Sequence, residues 1–553
     1  MLQNKKTFSN IVLFFFLTIF FLLSFIKFHN LPPRIDQSFH MYWLDKIVSS
    51  NLDFSTNYNE ILSHFSLKNS FIYELFRVMI SQQNFFSYYF QALFILLLGI
   101  LYSLSHFLFQ DLVTFYNFYS ILFSTLNILL CYKILEIILL SLDINKRIIF
   151  NKIIFILIFS SYYLFFFSPL GVHNFAAFFF LLTIFFFLKK INEMNNLIIF
   201  LIGILSTISI FFHMSNLIFL LPIIFCFTLT LRKKIKEKLL LVFFYLIPIS
   251  FAIIPFLVLL ILFHLEADYS FLNETKKIGF LKNIFFYFKN FLILLGPTII
   301  FASFNFFIKK NRKNKQVLFI ATIIIFHFFL YLLLSPLSDT FLRNFLYISY
   351  LYLILFSVFL ISILEKFKSK SLIFIVVVNF ILNVSLINNE KLLSKYNNFY
   401  FNFYFKDNNL IFSFNNEIKN IFSTIEKNNL IIIDNQNTLN YVISYNKEII
   451  KSNQLFTNPS YIHKTFSDNK ALDIVKKKLK YIKIKNNNPY KIFISIVPIN
   501  LLEVHNKNFD VISNYEIENF TCSKTDLSKF KKKVYFLDRY YFFLINQFKC
   551  ELK

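Results

Sequence analysis

Glycine and cysteine are both scarce in this chain of 553 residues, which has only five glycines and four cysteines. The glycines lie at positions 99, 171, 203, 279 and 296, too far apart to form a P-loop or a dinucleotide-binding turn. The cysteines lack the CxxC spacing of zinc sites and redox-active pairs. The sequence therefore disfavours ATP-driven and nicotinamide-dependent enzymes.

Charged residues are also few, at 16% of the chain, whereas 57% of the residues are hydrophobic and the mean hydropathy is +0.60. This composition is typical of a polytopic membrane protein. The net charge of +26 does not indicate nucleic-acid binding, because the Lys and Arg residues of the first two-thirds of the chain form short runs between apolar segments. Such runs are typical of the cytoplasmic loops of membrane proteins.

The first apolar segment, Ile11–Phe28, follows Lys5 and Lys6, and no small-residue cleavage site comes after it. It predicts a retained signal anchor, since about 20 residues are needed to cross a bilayer. The later apolar segments predict further crossings, so we expect a polytopic α-helical membrane protein with about eleven transmembrane helices. The later crossings are predicted at Phe115–Leu142, Ile153–Phe167, His173–Leu188, Leu197–Phe212, Asn216–Leu231, Leu239–Phe263, Phe291–Ile308, Gln316–Leu334, Asn344–Leu364 and Leu372–Ile387.

The segment Ala92–Phe109 is apolar as well, but counting it as a crossing would move every later basic run to the outer side. We therefore predict a helix that lies at the membrane surface or re-enters it. The basic runs at 146–152, 189–190, 232–238, 309–315 and 366–370 then share the cytoplasmic side with the N-terminus. Residues 29–114 become a first periplasmic loop with surface helices, and the C-terminus lies outside.

The hydrophobic segments stop near residue 388, so we predict a membrane domain at 1–388 and a periplasmic α/β domain at 389–553. Within the second domain, Leu430–Asp434 and Lys491–Ile496 are typical of buried strands, and Ala471–Tyr481 has helical spacing. Cys522 and Cys550 both fall in this domain. Whether they pair stays open at this point, because sequence alone does not show their proximity.

Asp36, just after the first crossing, is the strongest candidate for a catalytic residue. A carboxylate near the bilayer is costly to keep, and partial desolvation raises its pKa and makes it a useful general base. Most other polar residues of the membrane domain also fall on the predicted outer side, although residues at span ends are more often interfacial anchors. Substrate-binding roles are predicted for Arg34, His40, His173, Asn174, His213, Asp339 and Arg343.

The layout resembles the GT-C superfamily of membrane glycosyltransferases, notably the bacterial relatives of protein O-mannosyltransferases and of the lipid A aminoarabinose transferase. The resemblance in motif rests on Arg34–Trp43, on Phe115–Leu135 after a surface helix, and on Asp339–Arg343 before a late crossing. In those families an early Asp is usually followed by Glu, whereas Gln37 follows Asp36 here. His173-Asn174 occupies the region where a second acidic residue is often found.

The resemblance implies a reaction at the outer face of the bacterial inner membrane. Family members use a sugar carried on a polyprenyl phosphate, so the expected partners are a lipid-linked sugar donor, membrane lipids, and a glycan, lipid or protein acceptor of the cell envelope. By the resemblance, Asp36 would take a proton from the acceptor hydroxyl, and Arg343 would stabilise the departing lipid phosphate. No cofactor is expected, although a divalent metal stays an alternative because His264, Glu266 and Asp268 follow one crossing.

Three rival functions stay open. A glycolipid or polysaccharide flippase needs polar groups along a path through the membrane, and the predicted crossings carry few of them. An O-antigen-type polymerase or ligase shares the chemistry, but we expect its large outer loop in mid-chain. A non-catalytic envelope protein needs fewer crossings for anchoring alone.

Overall fold

The computed structural model divides the chain into two compact units. The first, in which most of the helices lie and which we call the helical unit, comprises Met1–Asn30, Phe86–Ile100 and Thr114–Asn398; the second comprises Leu31–Phe85, Leu101–Val113 and Phe399–Lys553. The described residues are 2–28, 92–109, 112–144, 172–212, 220, 223–224, 234–262, 280–295, 298–334, 346–364, 374–382, 430–433, 454–457, 490–498, 514–517, 520–524, 530–536 and 539–552. The boundary predicted at 388/389 lies outside them, and the two-domain division therefore stays a prediction.

The described part of the chain contains helices that are mostly apolar. They are α1 (Leu2–Phe28), α2 (Ala92–Ser105), α3 (Leu112–Ser141), α4 (Val172–Lys190), α5 (Asn196–Phe212), α6 (Ile235–Leu262), α7 (Phe280–Leu295), α8 (Thr298–Ser303), α9 (Lys309–Lys313), α10 (Lys315–Leu334) and α11 (Leu346–Leu364), with 3₁₀ turns at His106–Leu108 and Phe304–Phe307 and further helical residues at 374–382.

Asparagine side chains cap two of these helices. Asn195 Oδ1 accepts a hydrogen bond from the backbone N–H of Ile198 at the start of α5, at 2.9 Å. Asn314 Oδ1 accepts hydrogen bonds from the N–H groups of Gln316 and Val317, at 2.9 and 3.1 Å, at the start of α10. Both caps satisfy N–H groups that have no partner within their own helix, so these two helix starts are fixed by local sequence.

Among the described residues, three helices are long and apolar enough to cross a membrane: Thr114–Ser141, His173–Lys190 and Ile235–Pro255. Shorter apolar helices include Leu13–Ile26 and Tyr347–Ile363. Large apolar side chains such as Phe15, Phe251 and Phe374 are 65–72% exposed. Apolar surface of this kind on several helices fits contact with lipid, and the protein is a helical membrane protein.

Most predicted crossings coincide with helices, which confirms that these segments are helical. The helices α3, α4, α5, α6, α10 and α11 each begin and end within a few residues of the predicted limits. The segment 153–167 and most of 216–231 lie outside the described residues, so the number of crossings stays a prediction. The helix α2 has 14 residues and is about 21 Å long. Its predicted placement at the membrane surface stays a prediction.

The predicted crossing Phe291–Ile308 falls on helical residues, but the described helix begins earlier than predicted. The helix α7 begins at Phe280 and ends at Leu295. The helix α8 and the 3₁₀ turn Phe304–Phe307 follow it. Gly296 and Pro297, between α7 and α8, lie outside the described residues, so the continuity of this crossing stays a prediction.

Close backbone packing joins α5 to α6. A Cβ atom added at Gly203 would lie 2.6 Å from the backbone oxygen of Tyr245 and 3.1 Å from Cγ of Pro248. Nearby, the hydroxyl of Tyr245 lies 3.0 Å from Ser206 Oγ and donates to the backbone oxygen of Leu220 at 3.1 Å. Only glycine permits this approach, which lets a tyrosine from one helix bond with a serine of the other.

Asparagine side chains form hydrogen bonds that connect the last residue of α3 and the second half of α11 to the residues around α9. Asn305 Nδ2 donates to the backbone oxygen of Leu355 at 2.6 Å, and Asn311 Nδ2 donates to Asn305 Oδ1 at 2.8 Å. Ser362 Oγ donates to Asn311 Oδ1 at 3.0 Å. Asn314 Nδ2 donates to Ser141 Oγ at 2.7 Å. These bonds fix one end of the helical unit.

The second unit contains a seven-stranded mixed sheet of order β2-β1-β3-β7-β5-β4, in which β6 also pairs with β7. The strands β1, β2 and β3 run parallel to one another, and β3, β7, β5 and β4 pair in antiparallel fashion. The two predicted strands are confirmed as β1 and β3, whereas the helix predicted at 471–481 lies outside the described residues. The strands are β1 (Leu430–Ile433), β2 (Gln454–Thr457), β3 (Tyr490–Pro498), β4 (Asn514–Ile517), β5 (Phe520–Lys524), β6 (Phe530–Phe536) and β7 (Arg539–Leu552).

Candidate functional site

Five buried polar side chains meet where α4 and α11 begin, against the N-terminal half of α3. We call them the polar cluster: Ser120 and Asn127 of α3, His173 and Asn174 of α4, and Tyr347 of α11. His173 is 8% exposed and the other four are fully enclosed. Polar groups inside an apolar bundle cost free energy unless they are hydrogen-bonded, and in membrane segments they mark candidate functional sites.

His173 and Tyr347 link the first turns of α4 and α11. The imidazole Nδ1 lies 3.1 Å from the tyrosine hydroxyl, and the two rings meet edge to face with centroids 6.1 Å apart. Phe180 packs edge-on against the same tyrosine ring, at 6.0 Å. The hydroxyl can donate to an unprotonated Nδ1 or accept from a protonated one, so the pair can hold a proton in either position.

Asn174 connects α4 to α3 through both its backbone and its side chain. Its backbone oxygen accepts a hydrogen bond from Asn127 Nδ2 at 3.0 Å. Its own Nδ2 lies 3.4 Å from Ser120 Oγ and 3.5 Å from the backbone oxygen of Ser120, longer than the usual N–H···O distance. The backbone of Asn174 is therefore held by a hydrogen bond of ordinary length, and its side-chain nitrogen makes longer contacts with Ser120.

Sequence reasoning missed a polar stripe along α3. Asn117, Ser120, Ser124 and Asn127 follow a spacing of three, four and three residues, which places them on one helix face. All four are buried, and the stripe is about 15 Å long at 1.5 Å per residue. Polar residues at helical spacing within the predicted crossing Phe115–Leu142 were the available signal.

Aromatic rings pack beside the polar cluster. Phe175, next to Asn174, lies 4.8 Å from Phe94 of α2 and 4.3 Å from Phe123 of α3, measured between ring centroids. Phe94 also contacts Tyr116 and Phe212, each at 6.4 Å. All of these rings are buried. The short helix α2 thus helps to bury the N-terminal ends of α3 and α4, where a low dielectric strengthens polar interactions.

The described residues include two of the predicted site residues, His173 and Asn174, and both belong to the polar cluster. Tyr347 was not predicted, although it lies just beyond the predicted motif 339–343. The other predicted site residues lie outside the described part of the chain: Arg34, Asp36, His40, His213, Asp339 and Arg343. Their roles stay predictions.

Elsewhere in the bundle, His327 of α10 is a buried packing residue. It is 5% exposed, and its Nδ1 lies 3.3 Å from the hydroxyl of Tyr287. In the part of the chain that the structure describes, no group of three or more His, Cys, Asp or Glu side chains is placed to hold a metal ion. The alternative metal residues His264, Glu266 and Asp268 lie outside that part.

No family model and no curated protein sequence matches the chain. Among solved structures, the oligosaccharyltransferase of Archaeoglobus fulgidus in complex with Zn and sulfate is similar at 12% identity and a TM-score of 0.48, over 86% of this chain and 67% of that one. The archaeal oligosaccharyltransferase AglB from the same organism, in complex with an inhibitory peptide and a dolichol-phosphate, is similar at 11% identity and a TM-score of 0.46, over 88% of this chain and 69% of that one. Neither score reaches 0.5.

Proposed function

We propose that the protein transfers a sugar from a polyprenyl-phosphate-linked donor to a cell-envelope acceptor at the outer face of the bacterial inner membrane. The observation that carries the proposal is the polar cluster, in which His173 and Tyr347 join the starts of α4 and α11 inside an apolar bundle. Packing alone does not require a histidine, a tyrosine and two asparagines there, because apolar side chains would fill the same space at lower cost.

The start of α11 links the polar cluster to the candidate phosphate-binding residue. Arg343 precedes Leu346, the first residue of α11, by three residues. Bond lengths alone keep the two Cα atoms within about 11 Å of each other. A guanidinium suits the bidentate recognition of a phosphate, and the N-terminal ends of α4 and α11 add partial positive charge at the same end of the bundle. This end therefore suits an anionic leaving group.

In the proposed reaction, Asp36 accepts the proton of the acceptor hydroxyl. The hydroxyl oxygen forms a bond to the anomeric carbon of the sugar, the bond from that carbon to the phosphate oxygen breaks, and the electron pair leaves with the lipid phosphate. Arg343 stabilises the negative charge on that phosphate. Substrate contacts are assigned to Arg34, His40, His213 and Asp339 together with His173 and Asn174, the two that belong to the polar cluster.

A lipid-borne donor fits the exposed apolar faces of the helices. Outside the cytoplasm no nucleotide sugar is supplied, so the activated sugar must arrive on a carrier that diffuses in the bilayer. Apolar side chains such as Phe15 and Phe251, which are 65% and 72% exposed, provide surface along which a polyprenyl chain can lie. The phosphate then enters the site at headgroup depth, where Arg343 is expected.

The test compares cells that carry wild-type protein with cells that carry Asp36→Asn at equal expression. Mass spectrometry of glycolipids and surface glycans should show loss of one defined sugar mass in the variant, with unused lipid-linked donor accumulating. The matched control is Asp45→Asn, the same chemical change within the same predicted loop, and it should leave the product in place. An unchanged glycan profile in the Asp36 variant would overturn the mechanism.

Transport of a glycolipid is the second candidate, because the buried stripe on α3 supplies polar groups within a predicted crossing. A flippase should keep its function in Asp36→Asn and lose it when the stripe becomes apolar, as in Ser124→Ala combined with Asn127→Leu. A transferase should instead lose its product in Asp36→Asn, with donor still present on the outer leaflet. The two variants measured side by side therefore separate the two functions.

A further inference from the structure

Two of the four cysteines of the chain lie directly opposite each other in the sheet. The strands β5 and β7 pair in antiparallel fashion, and their register sets Cys522 against Cys550. The flanking pairs, Thr521↔Glu551 and Ser523↔Lys549, continue the same register. Opposed residues of an antiparallel pair occupy the same face of the sheet, and a slip of one residue would move one of them to the other face.

The spacing of opposed strand residues is compatible with a disulfide. Directly opposite Cα atoms in antiparallel sheets lie about 4.5 or 5.5 Å apart, depending on the hydrogen-bonding of the pair. Disulfide-bonded cysteines have Cα atoms about 4.4–6.8 Å apart. Both kinds of opposed pair fall within this range, so the backbone register of Cys522 and Cys550 needs no rearrangement before the bond can close.

We infer that Cys522 and Cys550 form a cross-strand disulfide that fastens β5 to β7. The inference rests on the proposed placement of the C-terminal domain outside the cytoplasm, where disulfides persist. In the reaction, the two thiols release two protons and two electrons as the S–S bond forms. A disulfide of the thiol–disulfide oxidoreductase class accepts them and becomes a dithiol, through a mixed-disulfide intermediate.

The bond has a structural role at one edge of the sheet. The four-residue strand β4 pairs with β5, and β5 pairs with β7. In the described part of the sheet, β4 and β5 are joined to the other strands by the β5–β7 ladder, which runs from Phe520↔Leu552 to Lys524↔Phe548. Short edge strands separate easily from a sheet. A covalent link in the middle of this ladder would keep β4 and β5 attached when the hydrogen bonds open.

The remaining cysteines do not compete for the pair. Cys131 is buried within α3 and has a free thiol. Cys226 falls within the predicted crossing Asn216–Leu231. Both therefore differ in setting from Cys522 and Cys550, which are the pair that the register brings together.

The test maps cysteine pairing in the full-length protein. Thiols are blocked with N-ethylmaleimide in intact cells before lysis, so that the bond cannot form during purification, and the protein is digested without reduction. Mass spectrometry should find a linked peptide pair containing Cys522 and Cys550, which separates after reduction. In Cys522→Ser, Cys550 should become available to maleimide, whereas Cys131→Ser should leave the linked pair unchanged.

Maleimide on both Cys522 and Cys550 in the wild-type protein would overturn the inference. A reporter enzyme that is active only outside the cytoplasm, fused after Lys553, then shows what else has failed. An active reporter would leave the proposed topology standing and reject the disulfide alone. An inactive reporter would reject the outside placement of the C-terminal domain, and with it the topology assumed in the proposed function.

Discussion

His173 Nδ1 lies 3.1 Å from the hydroxyl of Tyr347, across a sequence separation of 174 residues. This bond joins the first turn of α4 to the first turn of α11, so it fixes two helix ends that the sequence places far apart. The proposed sugar transfer requires that these ends keep their relative position, because Arg343, the candidate phosphate-binding residue, precedes the first residue of α11 by only three residues.

Removing the tyrosine hydroxyl should impair function more than stability. In Tyr347→Phe the imidazole loses its hydrogen bond with the tyrosine hydroxyl, and we expect about 1 kcal/mol of lost stability from one buried hydrogen bond. Product formation should fall about 10- to 100-fold, because small displacements of a site have large effects on rate. Thermal unfolding in detergent and glycan mass spectrometry measure the two effects.

The matched control is Tyr245→Phe, which removes a buried hydroxyl bonded to Ser206 and to the backbone of Leu220, away from the polar cluster. It should lower the unfolding temperature to a similar extent and leave product formation near the wild-type level. Equal loss of product in both variants would mean that the His173–Tyr347 pair contributes only stability.

A methyl group at Gly203 should separate α5 from α6. In Gly203→Ala the new Cβ would lie 2.6 Å from the backbone oxygen of Tyr245, which cannot rotate away. We expect destabilisation of about 1–3 kcal/mol, as for other overpacked sites. Thermal unfolding in detergent gives the value, with Ile204→Ala as control, since Ile204 is 36% exposed on the same helix. Similar unfolding temperatures for the wild type and Gly203→Ala would contradict the close approach.

The asparagine network should stabilise one end of the helical unit. Asn311 donates to Asn305 and accepts from Ser362, so Asn311→Leu leaves two buried polar groups without those partners. The expected cost is about 1–3 kcal/mol for each group left unsatisfied. Arg312→Ala, a change at the next residue, should alter stability by less than about 0.5 kcal/mol because its side chain is exposed. Equal unfolding temperatures for the two variants would count against the network.

The predicted topology gives a further expectation about the basic turn at 309–315. The substitutions Lys310→Cys and Lys313→Cys are made one at a time in a protein whose native cysteines have been replaced. Each new cysteine should react with a membrane-impermeant maleimide only after the cells are permeabilised. Both lysines are exposed, so access is governed by the membrane and not by burial. Labelling in intact cells would place this turn outside and would invert the proposed sidedness.

Local sequence predicted most of the helices and two of the strands, because a run of apolar residues long enough to cross a bilayer satisfies its backbone hydrogen bonds only as a helix. It also predicted His173 and Asn174 as polar residues at the start of α4. It missed Tyr347, because a single tyrosine in an apolar run carries no local mark of its partner. It also missed the stripe on α3, although the helical spacing of its polar residues was a signal that the sequence contained.

The sequence by itself determined that this is a helical membrane protein and where most of its helices begin and end, since both depend on composition and on caps within a few residues. Only the tertiary structure decided which polar residues meet. The pairing of His173 with Tyr347, of Asn127 with Asn174, and of Cys522 with Cys550 in register depends on helix packing and strand order. These are set by the total burial of many side chains and by a shared backbone ladder, and no short segment of the chain contains them.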